Sequence, residues 1–174
     1  MGLCTHIFLR GNLRLICKDT GLAYALYQRI QSFLPIEVVE EGEVWHLSGL
    51  NEVFRLSKYN ATDRFQKHVD TYFQRSVDNA TLEKSMYTVN IYLNHDFEGG
   101  HTRFYSAKDT IEASVTPSSG LCLLFRQPHT ARLLHDGEEV NCGVKYLIRS
   151  DVMYCKQSNV AATAYCDKVS AVCR

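Results

Sequence analysis

The sequence predicts a mainly β fold with one flanking α-helix, its strands arranged as a jelly roll. Three observations predict it. From about residue 51 onward, short segments rich in β-branched and aromatic residues alternate with Gly, Asn and Asp. Eight such segments can be read, a number that suits two packed antiparallel sheets. One stretch near residues 19–35 carries the spacing of an amphipathic helix. With 174 residues and 45% hydrophobic side chains, one domain can bury its own core without disulfide or metal staples.

Asp19 and Thr20 can cap the helix. Its apolar positions Leu22, Ala23, Ala25, Leu26, Ile30, Phe33 and Leu34 follow helical spacing until Pro35 ends it. It is a packing helix, and no side chain on it demands chemistry. A polar stretch from Glu40 to Glu43 precedes the β-rich part. Strands are predicted over Val53–Tyr59, Phe65–Asp70, Met86–Leu93, Arg103–Tyr105, Ile111–Val115, Leu121–Phe125, Ala131–His135 and Lys145–Tyr154. Phe73 to Glu83 reads as a long polar loop between two of them. The chain thus divides into an N-terminal helical support region (1–50), the jelly roll (51–156) and a C-terminal tail (157–174).

Period-two alternation separates the strand faces. Tyr87, Val89, Ile91 and Leu93 form an apolar face suited to a core, while Thr88, Asn90 and Tyr92 can line a pocket. On the last strand Val144, Tyr146, Ile148 and Val152 share one face, and Lys145, Leu147 and Arg149 the other. Two cations on an inner face need an anion.

Lysine plus arginine and aspartate plus glutamate both number 19, so no field of one sign gathers nucleic acid or an anionic membrane. No stretch approaches the roughly 18 apolar residues of a membrane span. The run from Leu3 to Leu9 is too short and interrupted for a signal-peptide core. His6 stands where a myristoylation signal wants Ser or Thr. A cytoplasmic location is the default expectation. Seven cysteines (Cys4, Cys17, Cys122, Cys142, Cys155, Cys166, Cys173) form no CxxC pair and read as mostly reduced thiols. The sequons at Asn60 and Asn79 fit ordinary turns equally well.

Chemistry concentrates in two places. His68-Val69-Asp70 puts an imidazole and a carboxylate on one side of a predicted strand, where both can reach a single metal ion. Alone, a His-x-Asp pair arises often by chance and reads first as an exposed strand pair. The second place runs from Leu134-His135-Asp136-Gly137 to Gly143-Val144-Lys145 and on to Val152, where a third ligand and an inward cation arrive together. Two histidines and one carboxylate occupy one triangular face of octahedral Fe(II) and leave three positions open. Two suit a chelating 2-oxo acid and one suits dioxygen.

These segments resemble the Fe(II)/2-oxoglutarate dioxygenases, specifically the prolyl 4-hydroxylase-like branch with a double-stranded β-helix fold. The resemblance rests on Arg64-Phe65-Gln66-Lys67-His68-Val69-Asp70, on Ile91-Tyr92-Leu93-Asn94 running into Phe97-Glu98-Gly99-Gly100-His101-Thr102-Arg103-Phe104, and on His135 to Tyr154. Pro117, Gly120 and Phe125 resemble the family's P-x-x-G…F approach to a strand. The resemblance implies that His68, Asp70 and His135 are the iron ligands. It also implies that Lys145, ten residues after His135, binds the C5 carboxylate of 2-oxoglutarate. Tyr92 and Thr88 resemble residues beside that carboxylate, and Tyr59 a tyrosine near the co-substrate's other end. Arg149 is either a second anion contact or the partner of Asp151 or another carboxylate. His101 replaces the acidic or polar residue common in the family's Gly-Gly-x-Thr segment, and a hairpin there could bring it to substrate. His6, His46, His95 and His129 read as ordinary residues.

The implied activity couples decarboxylation of 2-oxoglutarate to succinate with oxidation of a substrate left open, a protein side chain or a small molecule. L-ascorbate is the expected reductant. Asp70 argues against a halogenase, in which a non-ligating residue there would free a site for chloride. Two alternatives stand beside this reading. One is a cupin-type metal enzyme without 2-oxoglutarate, which a fully active Lys145→Ala variant would favour. The other is a catalytically silent jelly-roll interaction module, which the complete ligand set disfavours.

Overall fold

The computed structural model describes residues 5–9, 12–78, 80–127 and 133–157. In chain order its strands are β1 (Thr5–Leu9), β2 (Asn12–Lys18), β3 (Glu37–Glu40), β4 (Glu43–Leu50), β5 (Val53–Asn60), β6 (Phe65–His68), β7 (Gln74–Ser76) and β8 (Thr81–Tyr92). They continue as β9 (Phe97–Gly99), β10 (Thr102–Tyr105), β11 (Ile111–Val115), β12 (Cys122–Arg126), β13 (Leu134–Gly137) and β14 (Val140–Gln157). One helix, α1 (Thr20–Ile30), follows β2.

Two antiparallel sheets result, as the jelly-roll expectation requires. The larger runs β1-β2-β5-β14-β4-β3, with β8 beside β14 and both β7 and β12 on β8. The smaller runs β11-β10-β13-β6. The 18-residue β14 is the axis: β9 and β5 flank its first half, β4 and β8 its second.

Asp19 caps α1, its Oδ1 accepting from Leu22 N at 2.9 Å. After Ile30 the chain tightens into a 3-10 turn, Gln31–Phe33, which changes the angular step between side chains. Phe33 is accordingly turned out to 77% exposure, against the helical spacing that placed it inside. Ala23, Ile30 and Leu34 pack with Trp45, Leu50, Phe54, Met86, Val89, Val152 and Tyr154 on one face of the large sheet. Each large side chain buried there contributes about 1.5–3 kcal/mol. The opposite face of the same strands carries the site.

The region expected to be helical support also holds four strands, β1 to β4, all of which join the large sheet. Glu40 to Glu43 is the turn of the β3–β4 hairpin, with positive φ at both Glu41 (54°) and Gly42 (78°), the geometry two-residue hairpin turns favour. Charge on all sides hid that signal. The loop expected over Phe73–Glu83 instead contains β7 and the start of β8. Its charges are paired: Arg75 Nε bonds the buried Glu83 at 2.7 Å, and just beyond it in β8 the buried Lys84 Nζ bonds Glu40 at 2.7 Å. Pairing lets a polar segment enter a sheet that composition alone would keep it out of.

No helix among the described residues is long and apolar enough to cross a membrane. Cys17, Cys122, Cys142 and Cys155 are free thiols. Cys4, Asn79, His129, the first residues of the strand expected at Ala131, and the tail beyond Gln157 lie outside the described residues, as does the His6 side chain.

Candidate active site

His68 on β6 stands directly opposite His135 on β13. Opposed side chains of an antiparallel pair share a face, and the two ring centroids lie 4.2 Å apart. Each Nδ1 bonds a backbone carbonyl, His68 to Gln66 O at 2.8 Å and His135 to Leu133 O at 2.9 Å. A neutral imidazole that donates through Nδ1 keeps its lone pair on Nε2. Burial lowers the His135 pKa from its ordinary value, which disfavours the charged ring. Phe125 and Phe104 flank it at 4.8 and 5.7 Å, and Phe65 packs against His68 at 4.3 Å.

Strand β6 ends at His68, so Asp70 lies beyond the strand expected to hold it, in the segment leading away from β6. It is 6% exposed. Its Oδ1 is 3.4 Å from His68 Nε2 and its Oδ2 3.8 Å from His135 Nε2. One ligand atom from each of the three residues lies within 4.8 Å of the others. Thr88 Oγ1 donates to Asp70 Oδ2 at 2.7 Å, and Arg149 Nη2 stands 3.0 Å from Oδ1. Burial pushes the Asp70 carboxyl up, but His68, Arg149 and Thr88 together hold it well below the usual carboxylate range. Two imidazole Nε2 atoms and a carboxylate therefore converge, a ligand set with the chemistry of a divalent cation site.

Lys145 lines the same cavity, of about 500 Å³. It is 3% exposed, and its Nζ donates to Gly100 O. The rings of Tyr59 and Tyr92 each lie 5.4 Å from Nζ. Burial pushes the ammonium pKa down to about 8, with Glu138 pulling it back up. Gly100 makes the approach possible: with φ at +66°, a Cβ there would also stand 3.2 Å from Lys145 Cδ.

Of the other expected site residues, Tyr59 is paired across the sheet with Lys145. Tyr92 is paired with Leu147, and its hydroxyl shares a 2.7 Å hydrogen bond with Thr102. Thr88 sits elsewhere than beside the cation. It faces Asp151, six residues along β14 from Lys145, or roughly 20 Å at the rise of a strand. Its partner is Asp70 instead. Arg149 divides its guanidinium between Asp70 and Asp151, 3.6 Å from the latter. Its Nε and Asn90 Oδ1, on directly opposed residues, are buried without a hydrogen-bond partner among the described residues. His101 bonds Ser114 and stands 3.6 Å from Glu138; it does not line the cavity.

Sequence reasoning passed over Arg55, Asp136, Gln127 and Thr102. Arg55 Nη1 bonds Asp151 at 3.1 Å. Arg103 grips Asp136 through two bonds of 2.9 and 2.7 Å and ties β10 to β13 beside His135. Thr102 stood within the Gly-Gly-x-Thr segment, and Asn90 was legible on the polar face of its strand. For Gln127 the sequence held no signal.

The model of the 2OG-Fe(II) oxygenase superfamily matches residues 54–150, more than half of the chain. No curated protein matches it in sequence. Among solved structures it resembles a viral collagen prolyl hydroxylase from Paramecium Bursaria Chlorella virus-1, in a 2OG complex. The TM-score is 0.54 at 14% identity, over 83% of this chain and 79% of that one. A Pseudomonas putida prolyl-4-hydroxylase gives 0.51 at 17% identity, over 87% and 74%. A Trichoplax adhaerens prolyl hydroxylase, in complex with a hypoxia inducible factor oxygen degradation domain peptide fragment, gives 0.55 at 15% identity, over 95% and 68%. At such identities the likeness is one of fold. The family match spans β5 through most of β14, and so includes His68, Asp70, His135 and Lys145: this chain belongs to the 2OG-Fe(II) oxygenase superfamily, a family of oxidoreductases.

Proposed function

We propose that this protein hydroxylates an organic substrate, with Fe(II) held by His68, Asp70 and His135 and 2-oxoglutarate anchored by Lys145. One observation carries the reading: two imidazole Nε2 atoms and a carboxylate converge in a cavity that also holds the buried Lys145 side chain. Iron and 2-oxoglutarate together supply the oxidising power for C–H hydroxylation, the co-substrate leaving as succinate and carbon dioxide.

The chain's own residues prepare that chemistry. Hydrogen bonds from Nδ1 fix both imidazoles with Nε2 forward. Lys145 spends one hydrogen on Gly100 O and has two left for a carboxylate, between the faces of Tyr59 and Tyr92. Arg149, beside Asp70, offers its unpaired Nε to an anionic group at the metal end. L-ascorbate is the reductant that keeps the iron divalent. The solved neighbours named above are prolyl hydroxylases, so a peptidyl prolyl residue heads the substrates to test.

The direct assay is conversion of 2-oxoglutarate to succinate by the Fe(II)-loaded protein, first alone and then with a peptide panel. Substrate-independent succinate is expected, slow and dependent on Lys145. Absence of succinate with iron demonstrably bound would overturn the reading. An unchanged KM for 2-oxoglutarate in a Lys145→Ala protein would overturn the part assigned to the co-substrate.

A further inference from the structure

A buried relay of hydrogen bonds connects the rim of the cavity to Asp70, and every donor in it has one possible direction. At the rim, Phe73 N donates to Ser85 Oγ at 2.7 Å. Ser85 passes its own proton to Gln127 Oε1 at 2.6 Å. Gln127 Nε2 then donates to Asp151 Oδ1 at 2.8 Å and to Thr88 Oγ1 at 3.1 Å. Thr88, having accepted, gives its hydroxyl proton to Asp70 Oδ2 at 2.7 Å. Flipping the Gln127 amide would set its oxygen against the Asp151 carboxylate, which has no proton to give, so Asp151 fixes the orientation. Arg55 holds Asp151 in turn at 3.1 Å.

Backbone geometry explains how three side chains reach one amide. Ser85 and Thr88 are three residues apart, and in a regular strand they would face opposite sides. The β8–β14 register steps from Tyr87↔Val152 to Ser85↔Met153, so Met86 is an extra residue in β8. Such a bulge reverses the facing of what precedes it, and Ser85 comes to the side of Thr88. Ser85, Thr88, Gln127 and Asp151 are all buried, where an unmatched polar group costs about 1–3 kcal/mol.

We infer that Gln127 is a positioning residue. Through Thr88 it holds the Asp70 carboxylate turned toward His68 and His135, and it ties that carboxylate to the backbone of Phe73 at the cavity rim. This rests on the metal-centre reading of His68, Asp70 and His135. Gln127 touches no reacting atom. Its effect is on the affinity of the metal site and on the rotamer of one ligand.

The experiment is a titration of the metal-free protein with Co(II), followed by the visible absorption of the bound ion. Unfolding temperatures of the metal-free variants are measured in parallel. Thr88→Val keeps the volume but has no hydroxyl, and is expected to weaken Co(II) binding about 10- to 100-fold, the usual effect of losing a group that orients a ligand. Thr88→Ser keeps the hydroxyl and is expected to bind within about threefold of the parent, a rescue that tracks the hydrogen bond and not the packing. Gln127→Glu replaces two N–H donors with acceptors, so the Thr88 proton turns away from Asp70. Its Co(II) affinity is expected to fall as in Thr88→Val, with a changed absorption spectrum. Should Gln127→Glu fail to fold, Gln127→Met, which fills similar space without a donor, takes its place, and parent-like Co(II) affinity in the folded Gln127 variant overturns the inference. Equal Co(II) affinity in Thr88→Val and Thr88→Ser overturns the inference while leaving the metal centre standing. Failure of the parent protein to bind Co(II) overturns the metal-centre reading and this inference with it.

Discussion

His68 and His135 oppose each other across the β6–β13 pair of the small sheet, whereas the groups that hold Asp70, Thr88 and Arg149, lie on β8 and β14 of the large one. The ligand set therefore bridges the two sheets. A bound cation would lock the two sheets together.

Metal binding should stabilise the fold. Mn(II), a redox-stable substitute, at one hundred times its Kd is expected to add about 2.7 kcal/mol. For a chain of this size that is roughly 5–10 °C in Tm. Asp70→Ala should abolish the rise, and calorimetry with and without Mn(II) measures both. An equal rise in the variant would place the metal elsewhere.

Lys145 sets a pH dependence on co-substrate binding. Its ammonium, lowered to about 8 by burial, is protonated below that pH, and a carboxylate finds its partner ready. Above pH 8 the free site is increasingly neutral, and binding must first take up a proton. Affinity for 2-oxoglutarate should thus be flat below about pH 8 and fall toward tenfold per unit above it. Competition titrations from pH 6.5 to 9.5 check this; a flat profile throughout would deny Lys145 the role.

Gly99 and Gly100 should differ in their tolerance of alanine. Both have positive φ, 75° and 66°, but a Cβ at Gly99 would stand 2.4 Å from Glu139 O. At Gly100 the tight contacts are side-chain atoms, the nearest 3.0 Å away. Gly100→Ala is expected to cost about 1–2 kcal/mol and to loosen 2-oxoglutarate binding through Lys145. Gly99→Ala should cost more, because backbone cannot yield. Chemical denaturation ranks the two, and the reverse order would contradict the geometry.

Arg103→Leu should destabilise by about 1–3 kcal/mol, since buried Asp136 would keep, among the described residues, the Tyr105 hydroxyl as its one side-chain hydrogen-bond partner. Burial raises the Asp136 pKa, but Arg103 and Tyr105 outweigh it and hold it below the ordinary carboxylate value. A depressed carboxyl stabilises above its unfolded pKa and loses that contribution as pH falls through its folded one. The gap between parent and variant should therefore be full at pH 7 and narrow below about pH 4. A gap independent of pH would mean that packing, and not charge, is what Arg103 supplies.

Much of this was legible in advance where one strand or one helix decides the outcome. Strand β5 and the Ile111–Val115 strand fall where alternation places them, and Asp19 caps the helix it precedes. Legibility failed where burial depended on a distant partner. Lys84 enters a strand because Glu40, 44 residues away, neutralises it, and no local window contains both. Gln127 is invisible for the same reason: Ser85, Thr88 and Asp151 surround it only once β8, β12 and β14 lie side by side.

By itself the sequence determined the inward Lys145 and the polar face of Thr88, Asn90 and Tyr92, because period-two alternation is a local property, whereas the candidate ligands were named through a family resemblance. Only the tertiary structure decided that His68 meets His135, that Thr88 serves Asp70 and not Lys145, and that Arg149 divides itself between two carboxylates. Those outcomes depend on strand register. Register is settled by the simultaneous pairing of strands far apart in the chain, which no single segment encodes.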